Sequence, residues 1–541
     1  MKYEASLIDY AQSTESGDIE TTRMLFVYSV ETTSANLIEA VSLYGGECSI
    51  ICLSPHVAFD NEKKSIEKHH KREIIWSSFY EYLSQSDMEY CDKEADRIVV
   101  EIYGDRVGHL QNYFQEIKRI KNELVARRVF TAYQPKNAFL LAGSPGIDVN
   151  IWQRFGCQRL KYSRITPATA HWYQMLRQKF SRVVHPVKVW EVNTDKSRHL
   201  FIGTFDRVQQ YLDSTKYISS LLPYSKRLLF HLTLLVAPSV VSKIGLLFRI
   251  FVFLLRHTTI PYQARLLSSL HEHKPQIYIL AEHLGVCIDC LQDGYLPSYY
   301  PSAYLAYYGN SVNFLSFDHP SSEIFRIHGL NYSIWPYFRS FRLPHISPLS
   351  QPIKQILFIA SGAGDWTALK NRSDEDLAFM FICMAARSMP EIHFIFRPHP
   401  LWVLPEHQGS NSIIRLVDYV EFEGLDNLTI STNAITDSNH YLSHRSLSHS
   451  VSSIYDEIKQ ADVVIGDHSQ ALVEAALAGK IIASINAARR TEFFINFTRH
   501  GIPLLRCGDD VVEFLLEICN NTDYYCRYNN AIDSFNRSLD E

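Results

Sequence analysis

The sequence predicts an α/β protein of two doubly wound domains facing a central cleft, with a helical insertion in the first. Three observations predict it. Apolar runs of strand length alternate with segments of helical spacing near both ends of the chain. A proline-punctuated stretch near residue 345 interrupts this alternation, which then restarts. Residues suited to chemistry stand directly after the apolar runs, where such sheets receive ligands. With 541 residues, at about 150 per domain, the chain has length for roughly two to four domains.

The first half opens as a βαβ unit. Met24 to Val30 is an apolar strand, Ser34 to Leu43 has helical spacing, Gly45-Gly46 breaks it, and Cys48 to Leu53 is a second strand, an order that implies a parallel pair. Ala138 to Ala142 is a further strand running into Gly143-Ser144-Pro145-Gly146, and Ile277 to Ala281 and Val286 to Leu291 add two more. Residues 195 to 270 read as mostly helical. The first domain is therefore expected over 1 to 345, with 195 to 270 as its helical insertion.

After Leu343 to Pro352 the alternation resumes: strands are expected at Ile356 to Ala360, Ile392 to Phe396, Val463 to Ile465 and Ile481 to Ile485. Helices are expected at Asp374 to Arg387, at Ile454 to Gln460 with Ser453 and Asp456 as a capping pair, and at Ala471 to Ala478, ended by Gly479. The second domain is placed at 352 to 515, followed by a helical tail over 516 to 541.

Composition narrows the function. With 53 Lys+Arg against 58 Asp+Glu, the net charge is −5, which excludes a dedicated nucleic-acid binder, since duplex binding draws on a surplus of cations. At 46% hydrophobic, the chain is far from disordered compositions. Its ten cysteines are scattered, with one close pair, Cys287 and Cys290, and no partner pair at zinc spacing, so buried thiols in a reducing compartment are expected. Met1 to Thr22 lacks the basic and apolar pattern of a signal peptide, from which cytoplasmic residence is expected, at most at the inner face of the plasma membrane. The apolar stretch Arg227 to Leu255 falls short of the about 20 residues a spanning helix needs. Two readings stay open for it: a buried hairpin broken at Pro238, or peripheral membrane contact through 243 to 256, with Lys243, Arg249 and Arg256 at the headgroups.

Four constellations stand at strand ends. In Gln292-Asp293-Gly294 a carboxylate on a turn is placed to take a proton from an attacking hydroxyl, although an Asp-Gly pair is also an ordinary turn. In Arg397-Pro398-His399-Pro400 the prolines aim His399, whose imidazolium suits a phosphate, and Arg397 can add a bidentate contact. In Gly466-Asp467-His468-Ser469-Gln470 a helix begins, and its free N–H groups with the Ser469 hydroxyl also suit phosphate; Glu474 lies one turn on, within reach of ribose hydroxyls. Plain capping by Asp467 or Ser469 explains the same residues and is compatible with binding. Ser361-Gly362-Ala363-Gly364 lets a ligand approach backbone at Gly362 and Gly364, without the spacing of a dinucleotide fingerprint. His440, His444 and His449 sit in a serine-rich stretch and read as a solvated loop.

Together, Gln292-Asp293-Gly294, Arg397-Pro398-His399-Pro400 and Asp467-His468-Ser469 resemble the motifs of bacterial glycosyltransferases of the GT-B fold. The nearest resemblance is to the sialyltransferase and polysialyltransferase group and the capsule Kdo-transferases, which carry an acidic-acidic-Gly motif, a His-Pro motif and a downstream Ser motif. It spans roughly residues 275 to 500. The resemblance implies two Rossmann-like domains and a nucleotide-activated sugar, CMP-sialic acid or a related CMP-ulosonic acid, passed to a glycan or glycolipid acceptor in surface polysaccharide synthesis. It implies Asp293 as general base, His399 as phosphate ligand and acid, Ser469 as a second phosphate ligand, and no cofactor or metal. Gln292 replaces an acid and Gln470 a serine, which bears on the donor.

The later motifs are also similar to those of enzymes that move polyol phosphate from CDP-glycerol, which have Arg-Pro-His-Pro but a His-Gly-centred first motif. A nucleotide-sugar epimerase and a non-catalytic binding protein are the remaining alternatives; retention of Asp293 together with His399 speaks against the latter.

Overall fold

The structure is a computed structural model. It describes residues 23–28, 34–103, 109–141, 146–160, 188–193, 198–203, 218–221, 265–269, 287–291, 312–316, 322, 325–327, 329–334, 352–360, 372–399, 409–431, 447–448, 454–466, 469–487 and 497–539. These residues form three sheets with helices between the strands, the α/β class expected.

The N-terminal sheet contains β1 (Arg23–Val27), β2 (Ser49–Ser54), β3 (Ile74–Ser78), β4 (Asn137–Leu141) and β5 (Gln158–Leu160). They are parallel in the order β3-β2-β1-β4-β5, so the winding reverses between β1 and β4. Its helices are α1 (Ser34–Tyr44), α2 (Asp60–Glu67), α3 (Gln85–Tyr103), α4 (His109–Tyr133) and α5 (Val149–Arg154). Successive strand residues point to opposite faces. Leu25, Val27, Ile51 and Leu53 accordingly pack in one core beneath the sheet and Phe26, Ile50 and Cys52 in another above it.

The middle sheet contains β6 (Lys188–Asn193), β7 (Arg198–Gly203), β8 (Ile218–Leu221), β9 (Arg265–Ser269), β10 (Cys287–Leu291), β11 (Val312–Ser316) and β12 (Asn331–Ile334), in the order β12-β11-β10-β9-β7-β6-β8. Strands β7 and β9 to β12 are parallel, while β6 runs against β7 and β8. Within 195 to 270, expected to be mostly helical, the described residues 198–203, 218–221 and 265–269 are strands, and the rest of the range lies outside the described residues. Antiparallel pairing to β6 along Arg198–Gly203 satisfies the backbone ladder of this strand. The range 1 to 345 thus carries two sheets rather than one. The strand expected at 277 to 281 lies outside the described residues.

The C-terminal sheet contains β13 (Gln355–Ile359), β14 (His393–Arg397), β15 (Leu428–Ser431), β16 (Leu447–Ser448), β17 (Val463–Gly466), β18 (Ile481–Ile485) and β19 (Leu504–Leu505). All are parallel, in the order β16-β15-β14-β13-β17-β18-β19, a doubly wound sheet whose winding reverses between β13 and β17. Helices α6 (Arg372–Ser388), α7 (Gly409–Glu423), α8 (Ile454–Gln460), α9 (Gln470–Leu477), α10 (Gly508–Asn520) and α11 (Thr522–Ser538) cover it. Helix α10 crosses the expected boundary at 515. Strands covered on both faces read as unbroken apolar runs, as Val463-Val464-Ile465 and Ile481-Ile482 do. Ile356, Phe358, Val463 and Ile465 face one core, and Leu357, Ile359, Val464 and Ile482 the other.

The N-terminal and C-terminal sheets are joined by a buried charged contact. Arg415 of α7 gives Nε to Glu62 Oε1 at 2.7 Å, Nη2 to Glu62 Oε2 at 3.0 Å and to the Val57 carbonyl at 2.8 Å, and Nη1 lies 3.4 Å from Asp376 Oδ1. Asp376 Oδ2 accepts the Val57 N–H at 3.0 Å and lies 3.6 Å from His56 Nδ1. The guanidinium sits 4.6 Å from the centre of the Phe59 ring, which stacks on Tyr419 at 4.8 Å. Burial opposes the charge of Arg415, but Glu62 and Asp376 overcome it and hold the guanidinium above its ordinary pKa. Tyr80 Oη adds a bond to the Ala487 carbonyl at 2.9 Å. The middle sheet meets the C-terminal one through Leu315, which shares a core with Leu357 and Ile359.

Replacing Arg415 with Met leaves two carboxylates facing each other in this joint. The expected loss is about 3–5 kcal/mol, as for other buried ion networks stripped of one partner; it is checked as a lowered midpoint in scanning calorimetry.

Candidate functional site

Three carboxyl ends stand level at the point where the winding of the C-terminal sheet reverses. Ile359 of β13 is the register partner of both Arg397 of β14 and Gly466 of β17. Neighbouring strands lie about 4.8 Å apart, so Arg397 and Gly466 flank Ile359 at roughly 10 Å from each other. Ligands of doubly wound sheets settle in the crevice at such a reversal.

His399 lies two residues past Arg397, half-buried, and follows the buried Pro398. Across β13, Gly466 admits close packing: a Cβ there would meet the Ile359 carbonyl and Leu472 Cδ1 at 3.4 Å each. Three residues on, Ser469 is the N-cap of α9, its backbone extended at φ −104° and ψ 134°, and its Oγ accepts the Ala471 N–H at 3.3 Å. Capping by Ser469, one of the two sequence readings, is therefore present. The helix ends at Ala478, and Gly479 follows with φ 78°, a conformation glycine adopts without strain.

Gln470 opens α9. Its Nε2 donates to Glu474 Oε1 at 2.9 Å, and its Oε1 is buried without a hydrogen-bond partner among the described residues. Exchanging the amide ends would set oxygen against carboxylate, so the acceptor is the end left open. Glu474 is buried at 5% exposure and tied to Gln470; it does not stand at the surface of the crevice as a reach to ribose would ask.

Arg397 departs further from expectation. It is 8% exposed, and its Nη1 pairs with Glu457 Oε2 of α8. Glu457, 4% exposed, also accepts from the Ser431 hydroxyl at the end of β15 through Oε1. The Ala360 N–H donates to the Arg397 carbonyl at 3.0 Å, tying the ends of β13 and β14 together. The charge of this desolvated guanidinium is thus paired inside the protein by Glu457.

Asp293, Gly362 and Gly364 lie outside the described residues, as do Asp467, His468, Ser453 and the three histidines of the serine-rich stretch. Asp293 falls two residues beyond β10, whose strand the sequence predicted, and Gly362 three beyond β13. In the sheet that leads to Asp293, Asn313 Nδ2 donates to Asp289 Oδ1 at 2.8 Å and Ser333 Oγ to Asn313 Oδ1 at 3.2 Å.

The sequence reading missed Glu457, although Ile454, Glu457 and Ile458 share one helical face and so mark the acid as inward. It also passed over an Asp-x-Asp run, Asp374-Glu375-Asp376. Asp376 is 4% exposed and engaged by Arg415 and the Val57 N–H, so it serves the joint between sheets. Among the described residues no three His, Cys, Asp or Glu side chains converge as a metal site, and no helix is long and apolar enough to cross a membrane.

No family model matches the chain, and no curated protein does. Solved structures do show likenesses. The chain is similar to a UDP-GlcNAc 2-epimerase from Neisseria meningitidis bound to UDP-GlcNAc, at 8% identity over 96% of this chain and 99% of that one, with a TM-score of 0.32. It is similar to Acinetobacter baumannii MurG at 9% identity, over 77% and 93%, with a TM-score of 0.28. It is similar to the wall teichoic acid polymerase TagF at 12% identity, over 51% and 68%, with a TM-score of 0.29. At these identities and superpositions they carry no argument about activity.

The cap itself is testable. Ser469→Ala is expected to cost about 1 kcal/mol and Ser469→Gly only a few tenths, read as shifts of the urea midpoint; equal midpoints for Ala and the parent would remove the cap from the account of α9.

Proposed function

We propose that this chain is a GT-B glycosyltransferase that moves a sugar from a nucleotide-activated donor to a glycan or glycolipid acceptor in surface polysaccharide biosynthesis. CMP-sialic acid or a related CMP-ulosonic acid is the favoured donor. One observation carries the reading: the His-Pro and Ser motifs stand two and three residues past strand ends that share a single register partner, Ile359, at the reversal of a doubly wound sheet. The Asp-Gly motif follows a strand end in the same way, two residues beyond β10.

In this reading His399, the Ser469 hydroxyl and the N-terminal N–H groups of α9 hold the donor phosphate, where the helix dipole favours negative charge. Asp293 takes the proton of the acceptor hydroxyl as its oxygen attacks the anomeric carbon. The bond from that carbon to the phosphate oxygen breaks, the electron pair leaves with the nucleotide, and His399 supplies a hydrogen bond or proton to it. The charge is thus managed by protein groups, and the displacement needs no metal. Gln470, with an open acceptor oxygen and an amide nitrogen steadied by Glu474, suits a donor hydroxyl. A single displacement inverts the anomeric centre. Transfer of polyol phosphate from CDP-glycerol is the second reading, supported by the same Arg-Pro-His-Pro run; Asp293 weighs against it.

Incubation with CMP-sialic acid, CMP-Kdo, CDP-glycerol and UDP-sugars, reading nucleotide release and shifts in melting temperature, separates these readings. Release from a CMP-sugar alone is expected; release from CDP-glycerol alone selects the second reading, and no release or shift with any donor overturns both. Asp293→Ala is expected to abolish transfer while keeping donor binding, and His399→Ala to lose both, measured by calorimetric titration beside turnover.

A further inference from the structure

We infer that Glu457 is a positioning residue for the donor-phosphate site, acting through Arg397 and Ser431; this rests on the proposed function. Glu457 spans two strand ends. One carboxylate oxygen pairs with Arg397 at the last residue of β14 and the other accepts from Ser431 at the last residue of β15. The Arg397 carbonyl in turn takes the Ala360 N–H at 3.0 Å, which brings in the end of β13. All three side chains are more than nine-tenths buried. The carboxylate thus holds Arg397 by charge through Oε2 and Ser431 by a hydrogen bond through Oε1, so one side chain couples the two strand ends.

The consequence falls on His399. Arg397 and His399 are separated only by the buried Pro398, whose ring fixes one backbone dihedral, so a shift of the β14 end at Arg397 is carried to the backbone of His399. A phosphate ligand misplaced by about 1 Å loses much of its effect on the departing group. Buried charge pairs do not earn their place through stability alone, since well-packed apolar residues often serve as well. Here the pair sits directly beneath the residue proposed to meet the leaving group, and an apolar replacement would not be directional.

The test compares Glu457→Gln and Glu457→Asp with the parent chain by three readouts: melting temperature, hydrogen exchange of the peptide spanning 393 to 402, and nucleotide release. Glu457→Gln keeps the size and loses the charge; Glu457→Asp keeps the charge and shortens the reach. For Glu457→Asp the melting temperature is expected to stay near that of the parent, while exchange around His399 rises and kcat per folded molecule falls at least tenfold, with KM for the donor changed less. Glu457→Gln is expected to show the same pattern more strongly, on the soluble fraction that folds. Unchanged exchange at 393 to 402 in Glu457→Asp overturns the inference, as does a kcat equal to that of the parent. If the parent releases nucleotide from no donor, the proposed function falls, and the exchange data alone decide whether Glu457 holds the His399 segment.

Discussion

The contact on which the rest of the described structure depends is the burial of Arg415 between Glu62 and Asp376. Each partner comes from a different piece of chain: Glu62 from the helix after β2, Asp376 from the helix after β13, and Arg415 from the helix after β14. A cation removed from water is tolerated only where carboxylates and carbonyls surround it, so none of these helices can shift without leaving a charge uncompensated. Two of these helices, α6 and α7, follow β13 and β14, whose ends flank the reversal of the C-terminal sheet.

A second buried pair, Arg397 with Glu457, repeats the principle closer to the chemistry. Both networks use arginine, whose planar guanidinium offers several donors in fixed directions and cannot shed its charge, so its partners are specified in geometry as well as in sign. They differ in what they join. Arg415 holds two sheets together and stacks on Phe59, whereas Arg397 holds neighbouring strand ends of one sheet. The small net charge of −5 thus conceals cations already committed to buried acids.

Much of the C-terminal sheet was legible because its strands are apolar on both faces and its helices carry local punctuation. Ile481 to Ile485 and Ile454 to Gln460 have the bounds read from sequence, and Gly479 ends α9 as its permissive backbone allows. The strand at 198 to 203 was not legible inside a range read as mostly helical, since a half-polar strand of six residues has too little periodicity to announce itself without its antiparallel neighbour. Ser469 was legible as a cap because capping is a contact between residues two apart. Arg397 was legible as a chemically important residue, but its partner lies sixty positions away and no local pattern points to it.

The sequence by itself determined the α/β class, the strand ends at which chemistry is expected, and the residue types that stand there, because strand and helix periods and turn chemistry are short-range properties. Tertiary structure decided which charges are available. Whether an arginine meets a ligand or a glutamate, and whether an Asp-x-Asp run is open or locked in a joint, depends on desolvation by residues far away in the chain. Only the folded arrangement sets that environment, and it pairs Arg397 with Glu457 and Asp376 with Arg415.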